Sequence, residues 1–173
     1  MRRAFKLLGL ALGALLLGVT ALGLVLPRDL RVERKVEIAS PIAAVSGAVN
    51  DLSRWQAWAF GPEAKACTFQ DPSDMALRWT CGKVEGALVR TDLSPGALWV
   101  DAHVGGTVTR VRMKIGLTEL AAGTLVTWEE QATAPRVMGA WLRPWLERAR
   151  GEEIDRSLAR LRTHLQADTG QGS

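Results

Sequence analysis

Two charged residues, Arg34 and Glu130, stand where the surrounding sequence calls for apolar side chains. Leu30, Val32, Val36 and Ile38 alternate with Arg31, Glu33, Lys35 and Glu37, and Arg34 holds the apolar parity of that strand. Glu130 does the same after Val126 and Trp128. Turned toward an apolar interior, such residues would supply a polar anchor for a ligand's carboxylate or headgroup. At strand ends they would satisfy only themselves. Asp101 and His103 have the side chains for acid–base chemistry. Their parity is opposite to that of Leu98, Val100, Ala102 and Val104, however, which puts them on the solvent side. The sequence has no nucleophile-elbow serine, no His-Glu-x-x-His, no phosphate-binding glycine loop and no clustered carboxylate pair. No metal, no cofactor and no dedicated catalytic constellation are expected, so enzymatic activity is left open with the balance against it.

Cys67 and Cys81 lack metal-motif spacing and are too few for a disulfide-dense scaffold. Each shares the parity of its apolar neighbours, Phe69 for the first and Leu77 and Trp79 for the second. They can pair in an oxidising compartment, or be two small buried hydrophobes.

The elements that must position these residues follow from periodicity. Ser40-Pro41 opens a helix, with the serine as cap and the proline in the first turn. It carries Ile42, Val45, Ala48 and Val49, and a short helix or turn holding Trp55 and Trp58 follows. Six short strands are expected at Ala66–Phe69, Ala76–Cys81, Gly86–Asp92, Ala97–Val104, Thr107–Leu117 and Thr124–Ala132. Their connectors include Gly82-Lys83-Val84-Glu85 and the hairpin signal Gly105-Gly106, and connections this short permit only antiparallel neighbours. A last helix spans Val137 to about Gln166, with Trp141, Trp145, Ile154, Leu158, Leu161 and Leu165 as its apolar stripe. Pro144 should kink or restart it. Gly151 lies on the stripe, where a missing side chain admits the sheet or a ligand.

A seven-stranded antiparallel sheet cannot leave its apolar face wet, and only the last helix is long enough to cover it. Strand parity turns inward Leu77, Trp79 and Cys81; Ala87, Val89 and Leu93; Leu98, Val100, Ala102 and Val104; Val111, Met113, Ile115 and Leu117; and Val126 with Trp128. A curved sheet wrapped on one helix tends to leave a hollow, and that hollow is the functional candidate. Its expected lining is Trp55, Trp58, Trp79, Val89, Val100, Met113, Trp128, Trp141, Trp145 and Leu158. Plain core packing is the alternative for each of these residues.

Leu7 to Leu26 carries no charge and follows Arg2, Arg3 and Lys6, long enough as a helix to cross a bilayer of about 30 Å. It is expected to be a membrane anchor over residues 1–27, with a cleaved signal ending near Val19-Thr20-Ala21 as the alternative. The basic N-terminus argues for an inside start and an extracytoplasmic domain, although Arg28, Arg31, Arg34 and Lys35 crowd the other flank. Residues 28–166 make one domain and 167–173 a disordered polar tail. Beyond the anchor 19 cations face 18 acids, so the pI of 9.6 gives no case for nucleic-acid binding.

The order of landmarks resembles the SRPBCC or START-like superfamily, the helix-grip fold, and within it the membrane-anchored polyketide cyclase/dehydrase-like branch. The resemblance rests on Arg31-Val32-Glu33-Arg34, Ile38-Ala39-Ser40-Pro41, Asn50-Asp51-Leu52 with Trp55-Gln56-Ala57-Trp58, and Arg78-Trp79-Thr80. It closes with Gly123-Thr124-Leu125-Val126-Thr127-Trp128 and Ile154-Asp155-Arg156-Ser157-Leu158. The chain departs from it at Cys81-Gly82-Lys83-Val84-Glu85-Gly86, where relatives often carry a glycine-rich turn, and in lacking a long proline-containing extension after the Trp-x-x-Trp. The resemblance implies an α+β fold with first and last strands adjacent, which would bring Arg34 and Glu130 together as a pair. It also implies a hydrophobic small molecule or lipid as ligand. A polyketide cyclase/dehydratase-like enzyme and a surface interaction module without ligand remain the competing readings.

Overall fold

The computed structural model describes residues 2–25, 29–94, 96–105, 109–133 and 138–170. Its elements are α1 (Arg2–Val25), β1 (Asp29–Ile38), α2 (Ile42–Val49), α3 (Trp55–Trp58), β2 (Cys67–Gln70), β3 (Ala76–Cys81), β4 (Val84–Ser94), β5 (Ala97–Val104), β6 (Thr109–Leu120), β7 (Gly123–Thr133) and α4 (Met138–Gly170). Short 3-10 turns at Leu52–Arg54 and Pro62–Ala66 flank α3. The seven strands form one antiparallel sheet in the order β1-β7-β6-β5-β4-β3-β2. First and last strands are therefore neighbours, and α4 packs across the sheet as the grip. The α+β helix-grip fold is what the sequence order led to.

Several local expectations need correction. Ser40 does not cap α2; Pro41 holds the cap position with no side-chain hydrogen bond, and Ser40 Oγ is buried without a partner among the described residues. Its backbone carbonyl instead accepts a hydrogen bond from Thr124 Oγ1 at 2.9 Å, stitching the start of α2 to β7. Only Gly82 and Lys83 turn between β3 and β4, since Val84 and Glu85 are already strand. The Gly105-Gly106 hairpin is described only at Gly105, which has φ of 72°; Gly106 lies outside the described residues. Helix α4 runs through Pro144 without a restart and on to Gly170, so the tail expected from Ala167 begins as helix. Residues 171–173 lie outside the described residues.

The β4 parity is the instructive miss. Leu88 is buried and pairs with Leu77 and Ala102, whereas Val89 is exposed. A bulge between Arg90 and Asp92 adds a residue to β4, and parity flips across it. Leu93 is thus opposite the buried Leu98, while the same parity before the bulge faces water; Leu93 was expected inward but is itself exposed at this end of the strand.

Gly123 opens β7 at φ 152°, and a Cβ there would collide with the Ile38 carbonyl and Ala39 Cα. Backbone cannot swing aside as a side-chain tip can. Gly123→Ala is expected to cost about 3 kcal/mol, combining backbone strain with overpacking where β1 turns into α2. Denaturant unfolding of the full chain checks this.

Cys67 and Cys81 are cross-strand partners on β2 and β3, and they form a disulfide with Cα atoms 4.2 Å apart. β2 is a four-residue edge strand, so the bridge fixes the weakest rim of the sheet. Closing a loop with 14 residues of separation restricts the unfolded chain by about 3 kcal/mol. The double variant Cys67→Ala/Cys81→Ala should lower the unfolding midpoint accordingly, and dithiothreitol should do the same to the wild type but not to the variant.

Candidate functional site: a hollow between sheet and helix

Between the inner face of the sheet and α4 lies a cavity of about 740 Å³, within the range of about 300–1,000 Å³ that ligand pockets occupy. Its wall is mostly apolar. The sheet contributes Leu30, Val32, Trp79, Leu88, Ala102, Val104, Val111, Met113, Trp128 and Ala132. The α3 region contributes Trp55, Ala59 and Phe60, and α4 contributes Leu142, Leu146 and Ile154.

One end is an aromatic floor. Trp55, Trp58 and Trp128 meet at ring-centroid distances of 4.9, 5.6 and 6.1 Å, and Phe60 is edge-on to both Phe69 and Trp79 at 5.1 Å. The Trp79 ring lies over Gly86, where any Cβ would occupy the ring's place. Trp55 and Trp58 donate their Nε1 hydrogens to the carbonyls of Val49 at 2.8 Å and Ala48 at 3.3 Å, which ties α3 to α2. Trp128 Nε1 is buried without a hydrogen-bond partner among the described residues. A buried donor left unsatisfied is costly, so the ring that lines the cavity also has an unmet need for an acceptor.

The floor is clamped to α4 by Arg160. Its guanidinium donates to the carbonyls of Trp58 at 2.9 Å and Ala59 at 3.1 Å, and Ser157 Oγ donates to the same Ala59 carbonyl at 3.0 Å. Glu153 accepts from Arg160 at 3.2 Å and from Arg156 at 2.7 Å. Burial pushes the Glu153 carboxyl up, but these two guanidinium partners outweigh it and hold it below its ordinary 4.5. A lowered carboxylate pKa stabilises the fold above the unfolded value and loses that contribution as pH falls through the folded one. Stability should therefore drop as the pH is taken below about 4.5. Glu153→Gln should flatten this part of the pH profile of the denaturant midpoint.

The polar side of the wall carries Glu130, Thr133, Glu147, Arg150, Glu153 and Ser157, and two of these form an ion pair. Glu130, 4% exposed, accepts from Arg150 Nε at 2.8 Å and Nη2 at 2.7 Å, a two-pronged contact from α4 to β7. Burial pulls the Arg150 pKa down, but the hydrogen bond and charge of Glu130, with Glu153 nearby, hold it above its ordinary value. Arg34 is not the partner that was expected. In the register Arg34 stands opposite Trp128, and Glu130 stands opposite Val32. The Arg34 guanidinium instead crosses the bare backbone of Gly151 and donates to Asp155 Oδ2 at 3.1 Å on α4. The opening on the helix stripe is thus filled by an arginine rather than by a ligand.

Of the residues expected to line the hollow, Trp55, Trp79, Met113 and Trp128 are on its wall. Trp58, Val100 and Leu158 are buried in packed core beside it. Val89, Trp141 and Trp145 are exposed and belong elsewhere. Trp145 lies nine residues before Ile154, about two and a half turns, and so on the opposite side of α4. Tracing the stripe back from Ile154 by steps of three and four reaches Arg150, Glu147 and Leu146 instead, a signal present in the sequence. Asp101 and His103 are both on the outer face, but only His103 is exposed there; Asp101 is buried, contrary to the expectation of a solvent position, and accepts from Arg112 Nε at 3.2 Å. Among the described residues no three His, Cys, Asp or Glu side chains come together as a metal site.

A family model described as polyketide cyclase / dehydrase and lipid transport matches residues 29–166. No curated protein is significantly similar in sequence. Among solved structures, a START superfamily protein from Mycobacterium smegmatis superposes with a TM-score of 0.61 at 16% identity, covering 79% of this chain and 97% of that one. A protein of the dynemicin biosynthetic locus gives 0.57 at 19% identity, covering 79% of this chain and 47% of its own. The di-domain ARO/CYC protein of the steffimycin biosynthetic pathway gives 0.59 at 11% identity, covering 82% of this chain and 52% of its own. The chain spans about half the length of the last two. At these identities the likeness carries the fold alone.

Proposed function

We propose, for a chain that belongs to the polyketide cyclase / dehydrase and lipid transport family, that it binds or carries an apolar small molecule or lipid at a membrane. The observation that carries this is the 740 Å³ hollow, walled mostly by apolar side chains, with a polar edge that holds the Glu130–Arg150 ion pair. Burying a ligand's apolar surface there is favourable by about 25 cal/mol per Å². Trp128 Nε1, without a partner among the described residues, and the Glu130–Arg150 pair favour a ligand that also bears an acceptor oxygen. A surface module with a filled core fits poorly with a hollow of this size.

The anchor belongs to this proposal. Helix α1 has 24 residues, about 36 Å at 1.5 Å per residue, and Leu10, Leu12, Leu15, Leu16, Leu17, Leu22 and Leu24 are all exposed on it. Among the described residues no helix is long and apolar enough to cross a membrane. Leu26 and the side chains of Leu7, Leu8 and Ala11 lie outside them, although the sequence puts all four in the uncharged run. A basic start, that run and a disulfide in the domain beyond it all support a single-pass protein whose domain faces an oxidising compartment.

Solvent extraction of the full chain purified from its own membranes, followed by mass spectrometry, tests the ligand. A lipophile recovered near one per chain supports the carrier, and recovery no higher than from a control membrane protein contradicts it. The family description and the ARO/CYC neighbour keep a cyclase in view, with Glu130 and Arg150 as its polar groups. Substituting them would abolish turnover in such an enzyme, but would leave most of a carrier's apolar ligand bound.

A further inference from the structure

We infer that the N-terminal third of α4 is a bilayer-contacting surface, and that the mouth of the cavity opens against the lipid headgroups rather than into bulk water. The inference rests on the anchor proposed above and adds where the domain faces.

Trp141, Leu142 and Trp145 are 46%, 45% and 65% exposed, an apolar group on the first turns of the helix that closes the cavity. Two indoles in water one helical turn apart are an expensive feature for a domain that has Trp55, Trp58, Trp79 and Trp128 all buried. Tryptophan is favoured at the membrane–water boundary, where its ring is apolar and its N–H stays wet. Leu142 belongs to both surfaces, being exposed outside and part of the cavity wall, and Val104 on the facing strand is likewise exposed and lining. The apolar patch and the mouth are therefore continuous.

Chain length supplies the occupant. Only residues 26–28 separate α1 from β1, so Asp29 lies within about 14 Å of Val25 even with that segment fully extended. Leu30, the next residue, is itself part of the cavity wall, and α1 meets α4 directly. A bilayer holding α1 must then lie against the end of the domain that carries the mouth and the two tryptophans. An apolar ligand would pass between bilayer and cavity without crossing water.

The test uses the full chain in vesicles of phosphatidylcholine brominated near the top of its acyl chains, with unbrominated vesicles as reference. Bromine quenches only nearby indoles. The wild type should lose emission in brominated vesicles, and Trp141→Phe/Trp145→Phe should show about half that quenching or less, since the other five tryptophans are in the body of the domain. Alkaline carbonate extraction of the same vesicles separates the two ideas. A chain that stays with the lipid yet shows no quenching, or equal quenching in the double variant, overturns the docking surface alone. A chain released by carbonate overturns the anchor and this inference with it.

Discussion

Arg150→Met is expected to destabilise the full chain by about 3 kcal/mol at neutral pH, between the cost of breaking a fully buried ion pair and that of losing a surface one. The intermediate figure follows from the asymmetry of the pair. Glu130 has a side chain only 4% exposed, whereas that of Arg150 is 47% exposed. Removing the arginine strands a carboxylate that is out of water and bonded to nothing else among the described residues; removing the carboxylate leaves an arginine able to turn outward. Glu130→Met should therefore be milder than Arg150→Met. The double variant Arg150→Met/Glu130→Met should recover most of the loss, because two apolar side chains of similar length fill the site without a stranded charge. Denaturant unfolding of the three variants measures this, and an Arg150→Met variant within about 1 kcal/mol of wild type would mean that the pair is not an energetic unit. The pair spans β7 and α4 across the cavity edge, so its loss should also loosen the grip that keeps the hollow open.

Most of the fold was legible because it is written in short-range pattern. Period-two alternation with turn residues placed every strand within a few positions, and short connectors forced antiparallel neighbours. Long-range facts were harder. A bulge between Arg90 and Asp92 is one residue of extra length, and no periodicity averaged over β4 reveals that its two halves face opposite ways. Parity carried along the whole strand therefore points Val89 inward, whereas it is exposed. On α4 the apolar residues lie on two sides, Ile154, Leu158, Leu161 and Leu165 toward the sheet and Trp141 with Trp145 toward the outside. A stripe drawn through all of them crosses the helix, and extension from the buried half alone would have found Arg150. Arg34 and Glu130 were recognised as charges at apolar parity, but which partner each takes depends on register and on the reach of a long side chain over Gly151. Neither quantity is local in sequence.

The central claim is that the space between sheet and α4 is open and takes one apolar molecule. Ala102 is buried on the cavity wall between Leu88 and Val111, so Ala102→Trp should push an indole into the middle of the hollow and obstruct the ligand's seat. Val89→Trp, one strand away on the exposed outer face, should leave binding unchanged and controls for a general effect of added bulk. The occupancy should fall at least about tenfold in the first and not in the second, since a ligand that loses most of its buried apolar area loses well over 1.4 kcal/mol of binding. Native mass spectrometry of the full chain, ejected from lipid nanodiscs at energies that strip annular lipid, reads this directly. The account predicts one retained small-molecule adduct per chain for wild type and Val89→Trp, and a bare chain for Ala102→Trp. A bare wild-type chain, or an adduct retained equally by Ala102→Trp, would contradict it.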